Sequence, residues 1–333
     1  MYFAKIVEII EITEDTPAKM KYLFIYSTKA GKNDFHKFHL KIKEFFTENN
    51  LIEDCQFVFT ENENHARKAA REFARENKEG IVYACGGDGT LSEIANALKN
   101  TNIALGLIPM GTANDFSKIF DYERFTLENL LDPKIKKIDT IEINDTHTSI
   151  NIASTGLDAQ VLEYAREYAK KYKFLGKKIY DLATLKVLFN NKGQYLKMTI
   201  DDKKVEGHYT LCVFCNGSYY GGGFNPAPNS ILNDGKMEIV LAEYLTVPEI
   251  IRLIPKYKKG EIFGEDKIKT FRAEKVKIEL EEEINLNIDG ELLKDREFNL
   301  EINRENLNLA ILAELKNKDQ IKYCLLYTSL SGL

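Results

Sequence analysis

The sequence predicts two domains in series: a doubly wound α/β domain with a parallel sheet, then an antiparallel β domain. Three observations carry this. From Lys21 to about Lys118, short apolar runs alternate with helix-periodic segments, which is βαβα order. After about Ile135 the helical segments thin out and closely spaced strand-like runs take over. The chain has 333 residues, enough for two domains at roughly 150 residues each.

Each element follows in order. KYLFIYS is a short apolar run and reads as the first strand. Asn33 to Asn49 places Phe35, Phe38, Ile42, Phe45 and Phe46 on one helical face. CQFVFT reads as a strand, HARKAAREFAREN as a helix, and IVYAC as a fully buried strand. LSEIANALKN is a helix, and NIALGLIPM another buried strand. In the second half the helical stretches are Asp158 to Leu188 and Val247 to Tyr257. The strands read as SINIAST, YLKMTID, HYTLCVFCN, KMEIVLA, KIKTFRAE, KVKIELE, INLNID, REFNLEI and LNLAILAEL. The domains are expected at residues 20–145 and 146–315, with 1–19 and 324–333 as extensions outside them.

Composition excludes several classes. Lys plus Arg is 46 against 51 acids, so the net charge is −5, a poor basis for general nucleic-acid binding. No apolar stretch approaches the length of a membrane span. The opening segment has acidic residues where a signal peptide has an apolar core, so a cytoplasmic location is expected. Five cysteines argue against a disulfide framework. Cys212 and Cys215 form a C-x-x-C in a buried strand, where i and i+3 point to opposite faces; they read as core residues.

The strongest chemical signal is Gly86-Gly87-Asp88-Gly89-Thr90, between strand IVYAC and the next helix. Glycines there let backbone turn tightly and approach a phosphate, and a helix N-terminus offers N–H groups and a positive dipole end. Asp88 is suited to holding Mg²⁺ or orienting a nucleotide. The loop lacks the G-K-[ST] ending of a Walker A motif and the G-x-G-x-x-G spacing of dinucleotide folds. Thr90 and Glu93 also fit a capping box, which leaves the paired glycines unexplained. One strand later comes Pro109-Met110-Gly111-Thr112-Ala113-Asn114-Asp115-Phe116, again read between a buried strand and a helix.

GGDGT with Glu93 downstream, followed by PMGTANDF, resembles the catalytic domain of diacylglycerol kinases and related bacterial lipid kinases. Sphingosine kinases and NAD kinases share the first loop. The resemblance runs from about Lys21 to Leu315 and continues in Gly221-Gly222-Gly223, Pro228, Asn233-Asp234-Gly235 and Asp289-Gly290-Glu291. It implies a Rossmann-like nucleotide-binding domain, a C-terminal β-sandwich, an active site in the cleft between them, and transfer of the ATP γ-phosphoryl group to a lipid hydroxyl, with diacylglycerol the leading acceptor. It further implies ATP contacts from Thr60, Gly86, Gly87, Asp88, Gly89, Thr90, Leu91, Ser92 and Thr112. Gly31 belongs to that set too, although Ser27-Thr28 stand where the family has Asn-Pro. Asp88 and Glu291 would be catalytic, Glu291 as general base. Asp234, with the carbonyls of Ile231 and Lys236, would hold Mg²⁺. Read from the residues alone, Asp289-Gly290 is a hairpin turn with Glu291 the first exposed residue of the next strand.

A lipid substrate implies a peripheral membrane location, at the inner surface. Tyr164 to Tyr180 carries six basic residues and one acid among five aromatics, and Arg252 to Lys259 carries four basic residues and no acid. Both suit an anionic surface and equally suit a solvated helix face. A homodimer is a further possibility. Other readings are a kinase for a sphingoid base, phosphatidylglycerol or NAD, or a non-catalytic nucleotide- or lipid-binding regulator.

Overall fold

The computed structural model describes residues 20–28, 35–172 and 178–321. The expected extensions at 1–19 and 324–333 lie outside the described residues, as does Gly31.

The first half has the order β1 (Tyr22–Ser27), α1 (Phe35–Glu48), β2 (Cys55–Thr60), α2 (His65–Glu76), β3 (Ile81–Gly86), α3 (Asp88–Leu98) and β4 (Ala104–Pro109). Their strands pair in parallel in the spatial order β4-β3-β1-β2. Alternate residues of each strand face opposite layers. Leu23 and Ile25 join Ala66, Ala70 and Phe73 of α2 and Leu91, Ile94 and Leu98 of α3 in one core. Tyr22, Phe24 and Tyr26 join Ile42 and Phe46 of α1 on the other face. Helices therefore cover both faces of a parallel sheet, as the strand–helix alternation predicts.

Next come β5 (Phe120–Asp121), β6 (Lys134–Ile143), β7 (His147–Ser149), β8 (Ile152–Gly156), α4 (Leu157–Lys171), α5 (Lys178–Asn190), β9 (Gln194–Ile200) and β10 (Lys203–Cys215). They are followed by β11 (Met237–Glu243), α6 (Val247–Lys259), β12 (Ile268–Ala273), β13 (Lys275–Ile288), β14 (Glu291–Ile311) and β15 (Glu314–Leu315). The long strands β10 and β13 change partners midway. Each pairs with β9 near one end and β8 near the other, and β13 carries a register irregularity between Glu279 and Ile284. This closes a sandwich-like layer around Leu196, Met198, Phe214, Ile239, Leu286 and Phe298.

Several local expectations change. KVKIELE and INLNID are one strand, β13, and REFNLEI and the first five residues of LNLAILAEL are one strand, β14, because each irregularity bends a ladder without ending it; Glu314–Leu315 form β15. β6 was not expected from the sequence; its lysine-rich start hides a strand that pairs with β14. The helical stretch Asp158–Leu188 contains two helices, α4 and α5. Strand β14 runs from the sandwich into the first half and pairs in parallel with β4, Leu309 opposite Leu105. One sheet is thus continuous through both halves. Cys212 and Cys215 are fully buried on opposite faces of β10, in different core clusters, as expected of core residues.

Candidate active site

The first glycine loop closes directly into α3. Gly87 is its N-cap with extended backbone, and Asp88 opens the helix. Thr90 therefore lies inside the first turn and caps nothing; the expected Thr90–Glu93 capping box does not form. Glu93 instead accepts the Arg67 backbone N–H at 3.3 Å. The second loop is followed by a short 3₁₀ turn, Phe116–Ile119, not the expected helix.

The two loops touch backbone to backbone. A Cβ on Gly111 would stand 2.5 Å from Gly87 Cα, and a Cβ on Gly86 2.6 Å from Thr90 Oγ1. A side chain at Gly111 would push the loops apart, and one at Gly86 would displace Thr90 within the first loop. Gly89, by contrast, faces open space, as a residue meeting a ligand with its backbone would. Hydrogen bonds lock the pair: Met110 and Gly111 N–H donate to Gly86 O, Gly111 N–H also donates to Asn114 Oδ1, and Asn114 Nδ2 returns to Gly111 O at 2.8 Å. Asp88 Oδ1 accepts the Phe116 N–H at 3.1 Å. Burial pushes the Asp88 carboxyl above the usual carboxylate range, against the pull of the Asp115 and Phe116 backbone donors. Asp88 is therefore a side-chain tie between the loops, beside the backbone bonds to Gly86.

Of the remaining expected nucleotide contacts, Thr112 is exposed at the loop. Leu91 is buried in the core and its N–H donates to Gly87 O, and Ser92 is buried beside it, so both shape the helix start rather than face a ligand. Thr60 lies at the end of β2, where its carbonyl accepts the Thr28 hydroxyl at 2.6 Å. With Ser27, Asn62, Thr90 and Glu93 it lines an open cleft of about 80 Å³.

Two residues absent from the sequence-based site emerge here. Asp115 Oδ2 accepts the Gly222 N–H at 2.8 Å, joining the second loop to the triple-glycine loop of the other half. Lys118 pairs with the Asp115 carboxylate and donates to Ala113 O at 2.6 Å, with Gly223 alongside. Their signal was the ND-x-x-K spacing that extends PMGTANDF, and burial of Asp115 could not be read from it.

Glu291 follows a tight turn in which Asp289 and Gly290 both have positive φ, 48° and 95°, so the hairpin read from the residues is present. What the turn motif alone does not imply is its anchoring. Asp289 is half-buried and accepts four donors, Ser149 Oγ and the N–H groups of Ile150, Asn151 and Ile152, at 2.8–3.2 Å. Burial nonetheless raises its pKa to about 6. Gly290 N–H donates to Asn287 Oδ1, and Arg166 of α4 donates to Gly290 O at 2.7 Å. Exposed Glu291 thus projects from a turn held on three sides.

At the expected Mg²⁺ position the carboxylate is engaged by protein groups. Asp234 Oδ1 accepts the Lys236 N–H at 3.1 Å, and Oδ2 is paired with the Arg272 guanidinium. Arg272 Nε also binds Glu238 at 2.5 Å, and Arg304 lies against Gly235. A guanidinium already supplies the counter-charge that a cation would bring, and Ile231 and Lys236 add only backbone. Among the described residues no group of three His, Cys, Asp or Glu side chains converges as a metal site. The donor set does not fit a divalent cation, and no step is routed through one there.

A parallel sheet ending in paired glycine loops, joined by one strand to a β-sandwich, defines the two-domain kinase class to which NAD kinases and lipid kinases belong. Residues 21–143 match the diacylglycerol kinase catalytic domain, and residues 151–311 match a YegS C-terminal NAD kinase beta sandwich-like domain. The chain belongs to the diacylglycerol kinase catalytic-domain family of bacterial lipid kinases. It is 28% identical over 280 residues to a diacylglycerol kinase of Bacillus subtilis (strain 168), covering 80% of this chain and 88% of that one. It is 26% identical over 299 residues to a provisionally named lipid kinase of Staphylococcus carnosus (strain TM300), covering 86% and 95%. A solved structure from Bacillus anthracis str. Sterne, described provisionally as a diacylglycerol kinase, superposes with a TM-score of 0.70 at 27% identity, covering 88% of this chain and 97% of that one.

Proposed function

We propose that this lipid kinase transfers the γ-phosphoryl group of ATP to the free hydroxyl of diacylglycerol, giving phosphatidic acid. The observation that carries the reading is the Gly87–Gly111 contact, which fuses two glycine loops at the ends of neighbouring parallel strands into one phosphate-facing rim. ATP enters as its Mg²⁺ complex, and the rim's backbone N–H groups and the α3 N-terminus meet its phosphates. Asp88 acts as a positioning residue, since it ties Phe116 and hence the second loop to the first. Lys118, in the loop that reaches the triple glycine, supplies positive charge near the transferred group. Glu291 accepts the proton of the acceptor hydroxyl as the oxygen attacks phosphorus and ADP leaves. The enzyme works peripherally at a membrane surface, since its acceptor resides there; among the described residues no helix is long and apolar enough to cross one.

The test is transfer of labelled phosphate from ATP to a panel of diacylglycerol, sphingoid base, phosphatidylglycerol and NAD. Label in phosphatidic acid supports the reading. Label in another acceptor reassigns the substrate, and no label in any marks a non-catalytic binder. Glu291→Gln is expected to lower kcat by 10²–10⁴-fold with little change in stability, the usual range for loss of a general base. Asp88→Ala is expected to abolish transfer through loss of loop registration. Full activity in Glu291→Gln excludes that base.

A further inference from the structure

We infer that α5 seats the protein on an anionic bilayer, its Leu182, Leu185 and Phe189 entering the acyl boundary. The inference rests on the lipid-kinase reading for its purpose but on separate observations for its substance. Helix α5 is apolar on two faces. Ile179, Ala183 and Val187, spaced i, i+4, i+8, are buried, and Ile179 and Ala183 pack with Ala165 of α4. Leu182, Leu185 and Phe189, spaced i, i+3, i+7, form a second row that is 43%, 51% and 78% exposed. Single exposed apolar side chains are ordinary. A row along one helix face, ending in the most exposed large apolar side chain among the described residues, is not.

The charge around this row fits lipid headgroups. Lys178, Lys186 and Lys192 flank it against one acid, Asp181, and Lys170 and Lys171 end the neighbouring α4, Lys171 paired there with Glu167. Lys186 lies over the Tyr164 ring at 3.8 Å, so its charge stays at the helix pair. A second copy packed on this face about a two-fold axis would bring lysines against lysines; anionic headgroups would neutralise them. The other basic segment contributes less than its composition suggests, because Arg252 and Lys256 are both paired with Glu265. Seating is therefore chiefly apolar, with electrostatics secondary. The placement also matters: α4, packed on α5, holds the Glu291 turn through Arg166 and Gly290. A bilayer under α5 brings lipid beside the helix that positions the proposed base.

The chain contains no tryptophan, so Phe189→Trp introduces a single tryptophan, excited selectively over tyrosine, at the tip of the row. Mixing it with phosphatidylcholine/phosphatidylglycerol vesicles is expected to shift its emission to the blue and allow quenching by brominated acyl chains. Leu185→Ser/Phe189→Ser is expected to weaken vesicle co-sedimentation roughly tenfold or more, with an unchanged circular dichroism spectrum. Wild-type binding is expected to survive salt that screens surface charge. An unshifted, unquenched tryptophan, wild-type sedimentation of the double variant, or a blue shift that appears without vesicles and follows dimerisation would each overturn the inference. Phosphorylation of a short-chain, water-soluble diacylglycerol separates the two readings: it is expected to be equal in wild type and the double variant. Its absence from both defeats the kinase reading and leaves the tryptophan result to decide the seating.

Discussion

At the scale of residues, the two acids of the D-G-E turn divide the work. Asp289 is half-buried under four donors and Glu291 is exposed beside it. The Asp289 carboxyl has its pKa raised from 3.8 to about 6, so the folded chain binds more protons than the unfolded chain between those values. Stability then rises as pH falls through that window. Relative to Asp289→Asn, which cannot titrate, the wild type is expected to gain up to about 3 kcal/mol between pH 7 and pH 4, measured by urea unfolding. A flat difference would mean the four donors outweigh burial. Arg272 makes a second residue-scale prediction. The Asp234 side chain is 2% exposed, so removing the Arg272 counter-charge in Arg272→Met is expected to cost about 3 kcal/mol. Without nucleotide, the wild-type melting temperature is expected to be the same in Mg²⁺ and in EDTA, while Mg²⁺ stabilises the variant. A Mg²⁺-dependent wild type would show that Arg272 does not fill the metal's place.

At the scale of elements, the paired loops act as a single part. Gly111→Ala places a methyl group 2.5 Å from Gly87 Cα and must part the loops. The expected loss is about 1–3 kcal/mol of stability together with weaker nucleotide binding, read from urea unfolding and nucleotide titration. Gly89→Ala meets no atom within 4 Å and lies in the first turn of α3, so it is expected to leave stability intact while lowering nucleotide affinity. Equal behaviour of the two variants would contradict a ligand-facing Gly89. The sequence made these loops legible because glycine spacing is a local property. It did not expose Asp115 or Lys118, since their value comes from Gly222, 107 residues away from Asp115.

At the scale of the whole molecule, β14 governs. Its 21 residues pair with β13 and β6 and then with β4, so the last strand of the sandwich completes the parallel sheet. Two halves that share a sheet are expected to unfold together. Leu309→Ala, at a site 2% exposed, is expected to cost about 2–5 kcal/mol and to lower the hydrogen-exchange protection of β3 and β13 alike. Protection lost in one half only would show that they are independent. The Asp115–Gly222 and Asp139–Gly235 hydrogen bonds cross between the same halves.

The sequence by itself determined the strand–helix alternation, the change to β structure, the two glycine loops and the family, because each rests on periodicity or contiguous motif, and these survive without a partner in space. Only the tertiary structure decided that β14 joins the halves, that Arg272 occupies the charge beside Asp234, that Asp88 ties two loops and that α5 keeps an uncovered apolar face. Each depends on which distant groups meet and which faces are left without cover, and a linear pattern of residue types carries neither.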